Sequence, residues 1–352
     1  MFGPLFRASV SARWPSGEIE RMMDSSTSRR RLFTGATGFV AASFFPADAR
    51  AQAGYPDRPI TLVDGFVPGG GSDIVARLLA SKLRSELGQP VVVENRPGAS
   101  GTVAMAGVLR SRPDGYTLAI GTISSLSVLP QVMAHKPYDP LADLTPILLV
   151  ASVPQVVVVN ENSPFRTLRE LLDYAKANPS KLNFASSGIA TSQHLAGELL
   201  ARAAGVEMTH VPYRGSGQAL ADLMAGQVDL NVDTLPTNLP HIRGGKLRAL
   251  AVTTPERVEW LPDVATVAEL GFPGFDRKVW YMIVGPAGLP APIVNRLASA
   301  LNAALAAPEV AQRLRESGFM LGGGTPASAA ALLRTENESN AAIARAASIS
   351  VD

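Results

Sequence analysis

The stretch GFVPGGGSDIVARLLASKL, Gly65–Leu83, ends an apolar run on three glycines and resumes as an amphipathic helix. Val75, Leu79, Leu83 and Leu87 recur every four residues, and Leu78 widens the stripe, so one helix face packs on a sheet. Gly88 and Pro90 stop the helix, and the preceding ITLVDGFV reads as a strand. Gly69, Gly70 and Gly71 let backbone approach closely at positive φ, while the amides opening the helix lack partners and meet the positive end of its dipole. Such a turn suits an anion. No lysine follows the glycines as a P-loop requires, and G-x-G-x-x-G is absent, so a carboxylate fits better than a nucleotide. Ser72 or Asp73 also reads as a helix cap, a role compatible with ligand contact.

Working outward, the chain alternates strand and helix. VVVEN, the loop RPGASG, a short helix to Leu109, a PDG turn and YTLAIG follow the first unit; Thr122, just past that strand, joins the candidate ligand residues. A second series runs through QVVVVN, LNFASS, MTHVPY and VDLNVD with helices between, and WYMIVGPAG precedes a helical C-terminus. Strands separated by helices, rich in valine and leucine, imply parallel pairing with both faces covered. With 352 residues the chain exceeds one core. The expectation is an α/β protein of two lobes, each a mainly parallel sheet flanked by helices: residues 54–155 with 279–352, and residues 156–278. Two crossings, near Val156 and Lys278, would make a hinge.

The first 53 residues read as an export signal. Arg29 and Arg30 follow Ser28, a weak apolar run spans Leu32 to Phe45, and Ala51 and Ala53 fit an A-x-A cleavage site. The run is shorter than the about 20 residues a membrane span needs, and the paired arginines suit twin-arginine export or ordinary secretion. Residues 1 to about 22 carry no signal logic, so Met22 or Met23 reads as the start. This segment also holds seven arginines against four acids, which turns a net +2 for the whole chain into −1 for the remainder. The pI of 9.0 therefore does not indicate a nucleic-acid partner. Zero cysteines exclude disulfides and thiolate sites, and a periplasmic location near neutral charge is expected.

FASSGIATSQHLAGEL repeats the strand, small-residue loop and helix arrangement in the second series. Ser186, Ser187, Gly188, Thr191 and Ser192 offer hydroxyls and close backbone there, as a second jaw of a pincer around a small anion. His194 reads chiefly as a helix-start residue bonding backbone, Asp233 as an acid at the cleft edge or a turn cap, and Tyr213 as a cleft-lining ring. No G-x-S-x-G, H-E-x-x-H or H-x-x-x-H spacing occurs, which argues against a hydrolase and against a metal, and nothing calls for a cofactor. A binding protein, a ligand sensor docking on a histidine kinase, and a hydrolase remain as readings in that order.

These motifs, with YPDRPITLV, GQPVVVENRPGASGTVA, PYDPLADLTPI, HVPYRGSGQALADLMAGQVDL and GPAGLPAPIVNRL, resemble the substrate-binding proteins of tripartite tricarboxylate transporters, the Bug family, from about Tyr55 to the last helix. The resemblance implies a type II periplasmic binding fold, a Venus flytrap, that delivers a small carboxylate (dicarboxylate, amino acid or aromatic acid) to a membrane transporter and works as a monomer. It places the carboxylate on Gly69–Asp73 and Ser186–Ser192. Three positions depart from the family pattern, Asp64 and Gly65 in place of valine and proline, and Ala190 in place of glycine. If Asp64 faced the cleft, repulsion of about 4 kcal/mol at 4 Å would disfavour a second ligand carboxylate and select a monocarboxylate or amino acid over citrate. If it turned into the sheet, it would say nothing about the ligand.

Overall fold

The computed structural model describes residues 54–133 and 135–346; the export signal expected over residues 1–53 lies outside them. The chain runs β1 (Ile60–Asp64), α1 (Gly71–Leu87), β2 (Val91–Asn95), α2 (Thr102–Leu109), β3 (Thr117–Thr122), a π-helical turn (Ser124–Val128), α3 (Leu129–Val132) and β4 (Leu144–Asn160). It continues through α4 (Leu168–Ala177), β5 (Asn183–Ser186), α5 (Ser192–Ala204), β6 (Thr209–Pro212), α6 (Ser216–Met224), β7 (Leu230–Thr234), α7 (Leu235–Arg243) and β8 (Leu247–Val252). After β9 (Lys278–Pro286) come α8 (Ala291–Ala306), α9 (Pro308–Glu316), β10 (Met320–Leu321) and α10 (Pro326–Ala346).

The α/β class and helix-flanked sheet are as expected, but the sheet is mixed. Its order is β2-β1-β3-β9-β4-β7-β5-β6. Parallel pairing holds for β1 with β2 and β3, and for β5 with β6 and β7, where helices return the chain. The centre is antiparallel: β9 runs against β3 and β4, and β4 runs against β7 and β8. β4 is the connecting strand. Leu144–Pro154 pairs with β9, and from Gln155 onward the same strand pairs with β7. It starts eleven residues before the expected QVVVVN because Pro146 and Pro154, which argue against a central strand, are accommodated by register shifts and at the change of partner.

Alternation along β4 accounts for its valine run. Val157 and Val159 enter one buried cluster with Leu168, Leu171 and Leu200 of α4 and α5; Val156 and Val158 enter another with Leu223, Leu235 and Leu239 of α6 and α7. A third, larger cluster joins β1, β3, β9 and α1 to α8 and α9, with Leu195 of α5 reaching into it. Val75, Leu79, Leu83 and Leu87 of α1 are buried, and Gly88 closes that helix in the left-handed region at φ 74°. Among the described residues no helix is long and apolar enough to cross a membrane.

Candidate functional site

Strands β1, β3, β5 and β7 end around one cavity, as expected for the carboxyl ends of parallel strands. Its free volume is only about 30 Å³, well below the usual range for ligand sites. After β1 it is lined by Phe66, Val67, Gly70, Gly71 and Ser72; after β3 by Thr122 and Ser124; after β5 by Ser187 and Gln193. Gly215, Ser216 and Thr234 open α6 and α7 beside it, and Val279 and Tyr281 of β9 form the floor. None of these residues is charged.

The donors come from helix starts. Gly70, Gly215 and Thr234 are the N-cap residues of α1, α6 and α7, and none caps with a side-chain hydrogen bond. The first amides of α1 and α6 are therefore not taken by a side-chain cap, α7 offers that of Leu235 but none at Pro236, and the three helix dipoles place positive potential in the cavity. The three glycines differ in role. Gly69 turns at φ 88°, whereas a Cβ on Gly71 would overlap the Tyr281 hydroxyl, so the helix start can approach the floor only without a side chain.

Two buried aspartates stand one layer behind this lining. Asp64 accepts from Ser72 Oγ at 3.0 and 2.9 Å and from the Phe66 amide at 3.2 Å. Burial outweighs those hydrogen bonds and pushes its carboxyl up to about 7. Asp233 accepts at Oδ1 from Ser216 Oγ (2.9 Å), Gln193 Nε2 (3.1 Å) and the Thr234 amide (2.7 Å), while Oδ2 has no partner among the described residues. Burial raises its pKa as well. Each half-sheet thus contributes an aspartate that fixes a helix-start serine. Asp64 is fully buried behind Ser72 and does not line the cavity, so the premise for a monocarboxylate or amino-acid preference is absent.

The serine-rich loop is braced from beneath. Ser186 Oγ lies 2.6 Å from His210 Nε2, donates to the Gly188 carbonyl at 3.0 Å and accepts from the Gly188 amide at 3.2 Å. Thr191 caps α5 by accepting from the His194 amide at 3.2 Å, and His194 Nδ1 accepts from the Ala190 amide at 3.1 Å. The two imidazoles stack at 3.7 Å, and burial followed by the neighbouring His194 holds His210 down to about 4, so it stays neutral. Ser192 links the half-sheets: its amide donates to Ser124 Oγ at 3.0 Å, and its hydroxyl accepts from Gln155 Nε2 at 3.2 Å.

Of the residues expected to touch ligand, Gly70, Gly71, Ser72, Thr122 and Ser187 line the cavity. Ser187 Oγ is buried without a partner among the described residues, a donor left for something else. Gly69, Ser186, Thr191, Ser192, His194, Asp233 and Asp64 are not in the lining. Neither is Asp73: although burial pushes its pKa up, hydrogen bonds from Arg77 and the Gly69 amide prevail and hold its carboxyl below the usual range. Gly188 and Tyr213 face a second, outer cavity of about 750 Å³, and the Tyr213 phenol donates to Asp222 at 2.7 Å. Sequence reasoning did not single out Phe66, Val67, Ser124, Gln193, Gly215, Ser216, Thr234, Val279 or Tyr281. Ser124, Ser216 and Thr234 carried a usable signal, a hydroxyl at a strand-to-helix junction; Val279 and Tyr281 did not, because which face of β9 meets the cavity depends on its register with β3 and β4.

The model of the tripartite tricarboxylate transporter family receptor, TctC, matches residues 75–346. A UPF0065 protein from the tcbD-tcbE intergenic region of Pseudomonas sp. (strain P51) is 41% identical over 313 residues, covering 88% of this chain and 92% of that protein. Protein BugT of Bordetella pertussis is 38% identical over 281 residues, covering 80% and 86%. An R. palustris protein solved with adipate superposes with a TM-score of 0.81 at 36% identity, covering 84% of this chain and 99% of its own. The MatC protein of Rhodopseudomonas palustris, solved with bound malate, gives 0.79 at 33%, covering 82% and 99%.

Proposed function

This chain belongs to the tripartite tricarboxylate transporter family of receptors, and we propose that it captures a small carboxylate in the uncharged cavity and delivers it to the membrane components of such a transporter. The convergence of the α1, α6 and α7 starts on a cavity without a lysine or arginine carries the reading. Aligned amides and hydroxyls hold a carboxylate where no cation is available. The adipate and malate held by related receptors are of this class. Membership of a receptor family accords with binding rather than catalysis, and with a periplasmic location.

In this reading residues 54–155 with 279–352 form one lobe and residues 156–278 the other. They close as a monomer around the ligand through β4 and the start of β9, after residues 1–53 have been removed near Ala53. Ser187 and the amides of Gly70–Ser72 and Ser216 are the ligand donors. Native mass spectrometry of the exported protein, with calorimetric titration of candidate acids, tests this. A bound small carboxylate is expected, and at 100 times its dissociation constant it adds about 2.7 kcal/mol to stability. Failure to bind any carboxylate while a neutral or cationic solute binds tightly overturns the proposal.

A further inference from the structure

A further cavity lies behind the floor of the inner one. Successive residues of β9 face opposite sides of the sheet, so Val279 and Tyr281 line the inner cavity while Lys278 and Trp280 line a rear one, between the sheet and α10. Its free volume of about 410 Å³ falls in the usual range for small-molecule sites. Ile123, Leu149 and Leu332 give it an apolar wall.

Several polar groups of its lining lack the partners that burial normally demands. Trp280 is buried, and its indole N–H has no hydrogen-bond partner among the described residues. The half-buried Arg277 makes no ion pair among them; its guanidinium donates a long bond, 3.4 Å, to Asn340 Oδ1, and burial pushes its pKa down. Glu336 of α10, also half-buried and without an ion pair among them, accepts from Asn340 Nδ2 at 3.5 Å. Asn340 is held in place between them by donating to Ser127 Oγ at 2.9 Å. The other two charged residues of the lining, Lys278 and Asp276, pair with each other at 3.8 Å. One cation and one anion are thus left over in the wall, farther apart than an ion pair.

We propose that the rear cavity is a second ligand site, on the opposite face of β9 from the cleft, and that it takes a zwitterion, a free α-amino acid with an apolar side chain. The carboxylate of the amino acid accepts from the Arg277 guanidinium and the Trp280 N–H, its ammonium group donates to Glu336, and its side chain lies on Ile123, Leu149 and Leu332. A zwitterion fits better than a simple anion or cation, because either of those leaves one of the two wall charges unpaired. The site stands independently of the carboxylate reading of the inner cavity.

The experiment uses leucine and phenylalanine as probes on the exported protein, as wild type, Glu336→Gln and Trp280→Phe. Calorimetric titration measures affinity, and the indole N–H resonance of Trp280, identified by its loss in Trp280→Phe, reports where the probe sits. Wild type is expected to bind at least one of the two amino acids, with a shift of that resonance, and to bind the matching amine without a carboxylate, isoamylamine or phenethylamine, about tenfold more weakly or not at all. Glu336→Gln should weaken the amino acid by about tenfold, and Trp280→Phe by about three- to tenfold. Thermal melts establish that each variant is folded. Binding that leaves the Trp280 resonance unmoved, or that is as tight in Glu336→Gln as in wild type, puts the amino acid elsewhere, the cleft included, and overturns the inference. An amine that binds as tightly as its amino acid, or failure of both probes to bind at millimolar concentration, overturns it too. Each of these outcomes leaves the carboxylate reading standing.

Discussion

Replacing Asp64 by asparagine tests the electrostatics behind the cavity. Asp64 is fully buried beneath Ser72, and burial raises its carboxyl from 3.8 to about 7. Of the charges around it, Asp73 raises the value further and Arg77 lowers it, and both effects are smaller than burial. A carboxyl that holds its proton more tightly in the folded chain makes the folded state bind more protons than the unfolded one. Stability from this source is fully present below about pH 4 and is lost as pH rises through about 7. A shift of about three units corresponds to about 4 kcal/mol in total, of which about 3 kcal/mol falls between pH 5 and pH 8. The carboxamide introduced by Asp64→Asn would keep an acceptor for Ser72 and Phe66 without the titration. Urea unfolding of wild type and Asp64→Asn at pH 5 and pH 8 measures the double difference, from which every other titrating group cancels. The variant is expected to gain about 3 kcal/mol relative to wild type on going from pH 5 to pH 8. A difference that stays constant within about 0.5 kcal/mol would refute the assignment of a proton to Asp64.

Ser187→Ala removes a buried hydroxyl that has no partner among the described residues, so stability should change by less than about 0.5 kcal/mol while carboxylate affinity falls by about three- to tenfold; titration and thermal melts separate the two. Gly71→Ala places a methyl against the Tyr281 hydroxyl and should cost about 1–3 kcal/mol, part of it recovered by adding Tyr281→Phe; full stability in the single variant counts against the close approach. Thr167→Ala breaks the capping box with Glu170 at the start of α4, past the end of β4 remote from the cavity, and should lower stability by about 1 kcal/mol with ligand affinity retained.

The legible parts of the sequence were those governed by local rules. The four-residue stripe of α1, its glycine stop, and the small-residue turns before α1 and α5 follow from spacing and backbone freedom alone, and both turns do lie at strand ends beside one cavity. What depends on pairing was not legible. The helix-separated strands run parallel in both outer thirds of the sheet, but β9 and β4 enter between them antiparallel, and no local signal gives their direction. The orientation of Asp64 was open for the same reason: a strand covered on both faces has no polar side to reveal which way a residue points. Nor could the loop residues Ser186, Ser187, Thr191 and Ser192 be ranked, since His210 and Ser124, which engage Ser186 and Ser192, come from a distant strand and a distant turn.

The sharing of β4 between the two half-sheets has a mechanical consequence. Its change of partner comes at Pro154 and Gln155, where proline offers no amide to the ladder and so leaves a gap among the rungs. In the proposed closure, rotation of one half against the other would twist this continuous ribbon, unlike the bending of a slack tether. If the halves turn in this way, amide exchange at Val153 and Val156, on either side of the gap, is the dial on which the twist can be read.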